Sequence, residues 1–301
     1  MFSEEHNKTA ESYHSVGLTQ CLLSDHTAAL GSKKHALDIR IKLFGEDHSQ
    51  TADSYDSVGD TQHSLRDYTA ALKSKKRALD IRIKLFGEEH YETAKSYHSV
   101  GITQHSLSDY TAALESAKRA LDIRIELFGE EHPKTADSCH LVGVTQHSLS
   151  DYTAALESVK RALDIRIKLF GEEHPSTADS CNSVGVTQHS LSDYTAALES
   201  KKRALDIRIK LFGEEHPKTA DSCHEVGVTQ HSLSDYTAAL ESKKRALDIR
   251  IKLLGEEHPK TADSYHSVGV TQLSLSDYTA ALESDKRALD IGIKLFGEEH
   301  S

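Results

Sequence analysis

Residues 213–254 read GEEHPKTADSCHEVGVTQHSLSDYTAALESKKRALDIRIKLL, and the same sentence recurs almost letter for letter in the neighbouring stretches. Gly45, Gly87, Gly129, Gly171, Gly213, Gly255 and Gly297 stand 42 residues apart. Working outward from the block divides the chain into seven units, residues 3–44, 45–86, 87–128, 129–170, 171–212, 213–254 and 255–296, a single array over 3–296. Residues 297–301 read as the start of a truncated eighth unit. A fixed period of this length is the signature of a solenoid, in which each unit packs only on its neighbours. Such a chain makes extended surface instead of one enclosed pocket, which favours binding over catalysis.

Within the last unit, Pro259 suits a first helical turn, where a missing N–H is tolerated. Ala262, Tyr265, Val268, Gly269 and Gln272 follow at three- and four-residue steps, one face of a helix over about 260–274. Gly269 costs helix propensity, about 1 kcal/mol against Ala. Its recurrence in every unit predicts a second helix passing too close for a side chain. Ser276 and Asp277 supply capping oxygens for that second helix. Tyr278, Ala281, Leu282, Ala288, Leu289, Ile293 and Phe296 form its apolar stripe over about 277–296, and Gly297 closes it. No run alternates with period two, so the fold is all-α, a helix–turn–helix repeated.

The charge is mixed throughout: 28% of residues are charged and the net charge is −11. A duplex nucleic-acid surface needs a basic excess, so nucleic acid is excluded as a partner. No apolar run approaches the roughly 18 residues of a membrane span. The opening MFSEEHNKTA lacks a signal-peptide layout, which points to the cytoplasm. Cys139, Cys181 and Cys223 share a repeat position with Tyr13, Tyr55, Tyr97 and Tyr265, so they read as apolar fillers, not disulfide partners.

The chain resembles the tetratricopeptide repeat, in the 42-residue form of kinesin light chains and nephrocystin-3-like proteins. In the last unit the resemblance rests on Gly255, His258-Pro259, Ala262, Tyr265, Val268-Gly269, Tyr278, Ala281, Ala288-Leu289 and Gly297. It implies a right-handed α-solenoid of seven helix-turn-helix repeats, with the first (A) helix of each lining a concave groove and the second (B) helix outside. Two departures stand out. Gln20, Gln62 and their equivalents replace a late aromatic of the A helix, and Lys33, Lys75, Ala117, Val159, Lys201, Lys243 and Asp285 replace one in mid B helix.

By this resemblance, the groove-facing set comprises His98, His105, Asp137, His140, His147, Asp179, Asn182, His189, Asp221, His224, His231, Asp263 and His266. Histidines seven apart, such as His140 and His147, point the same way from one helix. Imidazoles, amides and carboxylates in such a ladder suit hydrogen bonding to a peptide backbone. The competing reading is that they are solvated residues copied by duplication. Protonation of the ladder near the ordinary histidine pKa of about 6.5 is expected to make any groove ligand pH-sensitive.

Other chemistries are poorly served. Seven residues along a helix rise about 10.5 Å, too far for one histidine pair to chelate an ion, and neither HExxH nor paired CxxC occurs. No cofactor, metal or catalytic residue is expected. The histidine of the GEEH turn suits helix capping, and the KKRALDIR run reads as a solvated amphipathic face. The function expected is a protein-interaction scaffold for peptides or helices of partner proteins. The alternative is a structural spacer or sensor array of a larger signalling protein. In an uncapped last unit, Ala281, Leu282, Leu289, Ile293 and Phe296 include residues expected to face empty space in part, implying a longer array or self-association.

Overall fold

The computed structural model describes residues 2–297; the expected start of an eighth unit lies, beyond Gly297, outside the described residues. Fourteen α-helices and no strand occur among the described residues. They fall into two compact units, Met1–Asp151 and Tyr152–Ser301. The first holds α1 (Phe2–Leu22), α2 (His26–Phe44), α3 (Ser49–Ser64), α4 (Tyr68–Phe86), α5 (Tyr91–Ser106), α6 (Tyr110–Phe128) and α7 (Pro133–Ser148). The second holds α8 (Tyr152–Phe170), α9 (Pro175–Ser190), α10 (Tyr194–Phe212), α11 (Pro217–Ser232), α12 (Tyr236–Leu254), α13 (Pro259–Ser274) and α14 (Tyr278–Phe296). Odd-numbered helices are the A helices of the repeats and even-numbered ones the B helices. Within each unit, consecutive helices pack in sequence order.

B helices start at an aspartate and stop at a glycine, and the A helices from α3 on start at a histidine. Asp67 caps α4, its Oδ1 accepting from the Ala70 N–H at 3.1 Å. Gly87 ends α4 at φ 88°, a left-handed conformation that glycine adopts without a Cβ penalty. The GEEH histidine does two jobs. His132 Nδ1 accepts from the Lys134 N–H at 3.2 Å, capping α7, and its ring stacks on Phe128 at the end of α6 with centroids 4.4 Å apart. Pro133 then occupies the first turn of α7.

Small residues set the helix crossings. Ala71, Ala78 and Ala94 are fully buried, as are their counterparts in the other repeats except the last, where Ala262 and Ala288 are half-buried. The mid-helix glycine is a close approach, as the sequence implied. A Cβ on Gly59 would stand 2.7 Å from the Lys75 Cγ and 3.3 Å from the Ala71 carbonyl oxygen. A buried lysine stem therefore fills the space over the glycine in place of the family's aromatic ring.

The KKRALDIR run is not the solvated face its charges suggested. Lys75 and Arg82 share one helix face with Ala78 and Leu79, and all four are buried. The arginine ties each B helix to the next A helix. In the first unit Arg40, Arg82 and Arg124 donate to Ser54, Ser96 and Ser138 Oγ at 2.6–2.7 Å. In the second, Arg166, Arg208 and Arg250 donate to Ser180, Ser222 and Ser264 at the same range of distance. A charge-assisted hydrogen bond thus sits at every junction between consecutive repeats. The late A-helix glutamine is also specific: Gln62 Oε1 accepts from Ser74 Oγ at 2.7 Å, joining α3 to α4. Polar ties do the work of the missing aromatics. Cys139, Cys181 and Cys223 are buried and not joined in disulfides, the apolar fillers expected.

Candidate functional site

The outward face of the A helices was singled out by the sequence, and the two units present it separately. In the first unit, α3, α5 and α7 border a recess of about 420 Å³ whose lining includes Asp60, Lys95, His98, Lys134 and Asp137. A second recess of about 460 Å³ shares Asp56, Asp60 and Lys95 with it and adds His14, Asp53 and Glu92. Together they make a continuous, open, mixed-charge trough across successive repeats. His98 and Asp137 of the expected set line it, and His63 does too.

The repeats depart from one another along this trough. Asp56 stands where the third repeat has His98, Asp60 where it has Ile102, and Lys95 where the second has Asp53. Arg82 is the hub beneath. It donates to Asp53 Oδ1 at 2.7 Å and to Asp56 Oδ2 at 3.3 Å, besides Ser96. Burial works against its charge, but Asp56, Asp53 and Glu92 outweigh that and hold its pKa above the ordinary value. Burial raises the pKa of Asp56 despite the opposing pull of Arg82. Lys75 pairs with Asp60 at 2.8 Å.

In the next repeat the hub changes chemistry. Arg124 Nη1 lies 3.3 Å from His98 Nδ1. A guanidinium only donates, so Nδ1 accepts and the ring is neutral with its proton on Nε2. Burial, reinforced by Arg124, lowers the His98 pKa to about 4. His105 is occupied differently: its Nε2 contacts Ser148 Oγ at 3.0 Å and its ring leans on Tyr110. His140 and His147 are half-buried on α7.

The second unit repeats the pattern with fewer departures. Asp179 accepts from Arg208 at 2.9 Å and Asp221 from Arg250 at 2.8 Å. Both aspartates therefore brace the junction arginines. His189 and His231 reach Ser232 and Ser274 of the following repeat at 2.9 and 3.0 Å. Asn182 and His224 are half-buried, whereas Asp263 and His266 are exposed, His266 lying 3.3 Å from Asp285.

The histidine ladder is consequently a set of ties between repeats more than a row of free rings. Burial lowers the pKa of His63, His105, His147, His189, His224 and His231. The expected gain of charge near the ordinary histidine pKa is displaced to more acidic pH for these six. Glu92 is the trough residue that sequence reasoning missed; Asp53 and Lys95 hold the repeat position of Asp137, Asp56 that of His140 and Asp60 that of Val144, although the expected set names none of the four. The signal for Asp56, Asp60, Glu92 and Lys95 was available, since they are the positions where the second and third repeats depart from the rest in charge. Among the described residues no group of three or more His, Cys, Asp or Glu side chains is placed to hold a metal ion. No helix is long and apolar enough to cross a membrane among them.

The sequence matches the tetratricopeptide repeat profile over residues 8–84, 63–126, 107–168, 142–210, 182–252 and 224–294. No curated protein sequence matches the chain. Among solved structures it is similar to a kinesin light chain-like protein of Podospora anserina with nearly identical TPR-like repeats. That pair shares 22% identity at a TM-score of 0.63, covering 69% of this chain and 99% of that one. BtubC (BKLC) of P. vanneervenii shares 20% identity at a TM-score of 0.64, covering 78% and 92%. A Rap protein complexed with Competence and Sporulation Factor shares 18% at 0.61, covering 94% and 74%. At these identities the likeness is one of fold.

Proposed function

Because the chain belongs to the tetratricopeptide repeat family, we propose that it is a protein-interaction scaffold whose A-helix face takes an extended peptide or helical segment of a partner protein. The observation that carries this reading is the mixed-charge trough across α3, α5 and α7. It is open to solvent, crosses successive repeats, and is built where the repeats differ from one another. Duplication copies a sequence; departures concentrated on one exposed face are what recognition of a particular ligand calls for.

The trough offers alternating charge along its length. Asp53 and Asp60 are well exposed, with Lys95 and Lys134 beyond them. A segment carrying a basic side chain followed by an acidic one matches that order. His98, held neutral with its Nε2–H outward of the Arg124 contact, adds a donor for a backbone carbonyl. The partner-binding role is thus assigned first to the first unit, with His98 and Asp137 of the expected set inside it. The Rap complex with its factor is a precedent for binding on a similar fold, at the level of fold alone.

A second reading, a spacer, is favoured by one observation: Asp179, Asp221, His105, His189 and His231 of the expected set are engaged in holding repeats together. The two are separated by selecting binders from a displayed peptide library on the intact chain. The expected result is a set of charged peptides whose affinity drops about tenfold or more in the charge-swapped variant Asp60→Lys with Lys95→Glu. Failure to select any binder, or binders indifferent to the swap while the helical spectrum is unchanged, overturns the trough reading.

A further inference from the structure

The first and last repeats differ from the rest at the positions that meet across a junction. Inside the array, a histidine near the end of one A helix contacts a serine one repeat on: His63 with Ser106, His105 with Ser148, His189 with Ser232 and His231 with Ser274. In the last repeat the histidine position holds Leu273, and in the first repeat the serine position holds Leu22. Both are exposed, Leu273 by 47% and Leu22 by 86%. The two halves of a polar pair have become apolar in the first and last repeats.

The surrounding faces match in the same way. Leu289 on α14 is 50% exposed, while its counterparts Leu79, Leu163, Leu205 and Leu247 are buried, Leu163 and Leu205 clustering with Val184 and Val226 of the A helix that follows. Val16 on α1 is 48% exposed, while Val58, Val100, Val184 and Val226 are buried, Val184 and Val226 clustering with Leu163 and Leu205 of the B helix that precedes. The α14 face is the leading half of a junction the chain builds repeatedly, and the α1 face is the trailing half.

We propose that a second copy of this chain docks head to tail, its α1 on this copy's α14 in the register of an internal junction, with Leu22 meeting Leu273. The contact is heterologous, so copies add in a row or close into a ring. It is built to be weaker than an internal junction. Gly292 stands where Arg40, Arg82 and Arg250 reach a serine of the next repeat, and Asp285 stands where Lys33 and Lys243 reach across. Nothing would meet a side chain at Gly292 within 4 Å, so an arginine there has room.

The test uses the intact chain in sedimentation velocity over a wide concentration range. The wild type is expected to associate with increasing concentration. A tail-blocked variant (Leu273→Glu with Leu289→Glu) and a head-blocked variant (Val16→Glu with Leu22→Glu) are each expected to stay monomeric. Mixed in equal amounts they are expected to form a one-to-one complex and stop, because one competent contact remains. Gly292→Arg, which restores the bond to Ser12 of the next copy, is expected to tighten association about tenfold or more. A wild type and a Gly292→Arg variant that both stay monomeric overturn the proposal. So does self-association of either blocked variant, or a mixture that forms no complex. Should a blocked variant lose its helical spectrum, the comparison of wild type with Gly292→Arg decides alone.

Discussion

Replacing Arg82 with Met removes the hub under the trough and tests the claim that polar ties hold the repeats. Arg82 is 1% exposed and donates to Ser96, Asp53 and Asp56. The Asp53 side chain is 59% exposed, so solvent screens that pair and it adds at most about 1 kcal/mol. The bond to Ser96 is charge-assisted and buried, about 1.5–3 kcal/mol. Asp56 is left as a buried carboxylate without its cation, which brings the total cost to about 3–5 kcal/mol near neutral pH. The penalty has a sign in pH. Burial already raises the Asp56 pKa, and removing Arg82 raises it further, so the folded state takes up a proton before the unfolded state does. Stability of the variant therefore falls as pH rises through the window above the ordinary carboxylate pKa, and recovers below it. The cost of R82M is expected to shrink to about 1.5–3 kcal/mol near pH 4, where the Asp56 penalty lapses and the Ser96 bond dominates what is missed. Guanidinium unfolding followed by far-UV circular dichroism at both pH values measures this. A cost below about 1 kcal/mol, or one that does not change between the two pH values, refutes the reasoning.

Gly31→Ala, in open space within α2, is expected to stabilise by about 1 kcal/mol, whereas Gly59→Ala, which meets Lys75, is expected to destabilise despite the same propensity gain; thermal melts give the two signs. His98 titrates near 4 in the folded chain, below its unfolded value, so its contribution to stability is present at neutral pH and is lost as pH falls through that window. Titration of its ring proton by NMR checks the value, and His98→Gln is expected to flatten that part of the stability profile. Deleting residues 213–254 whole is expected to leave a helical, less stable protein, because each helix packs on its sequence neighbours; loss of all helicity on that deletion contradicts the architecture.

Most of the fold was legible because each helix is bounded by residues with one physical use. Expected bounds of about 260–274 and 277–296 compare with Pro259–Ser274 and Tyr278–Phe296, the proline, the Asp277 cap and Gly297 fixing them. The burial of Lys75 and Arg82 was missed because charge was read before phase. Their three- and four-residue spacing with Ala78 and Leu79 places them on the buried stripe. The site was half legible. Histidine at one position and serine at the next recur together, but only coordinates show that they meet one repeat apart. The trough was hidden for a different reason: attention to what the repeats share draws the eye from Asp60, Glu92 and Lys95, where they differ. Of the stripe named at the end of the last repeat, Leu282 and Leu289 are exposed, whereas Ala281 is buried at the crossing with Gly269 of α13 and Ile293 is half-buried; the Phe296 side chain lies outside the described residues.

The junction arginine finds the same serine at every step, and this has a consequence for how the chain reaches its fold. Each arginine-bearing B helix is a chemically adequate mate for any A helix that presents that serine, so contact chemistry alone does not choose between near and distant partners. The choice falls to the turns. Residues 87–90 and 129–132 are all that separate a B helix from its successor, and so short a tether gives the adjacent A helix an effective concentration no remote one matches. Correct pairing is then a contest of rates, won by proximity while the turns stay short. Lengthening one of them with flexible residues would let a remote helix compete, and refolding yield, not stability, is where the loss would register.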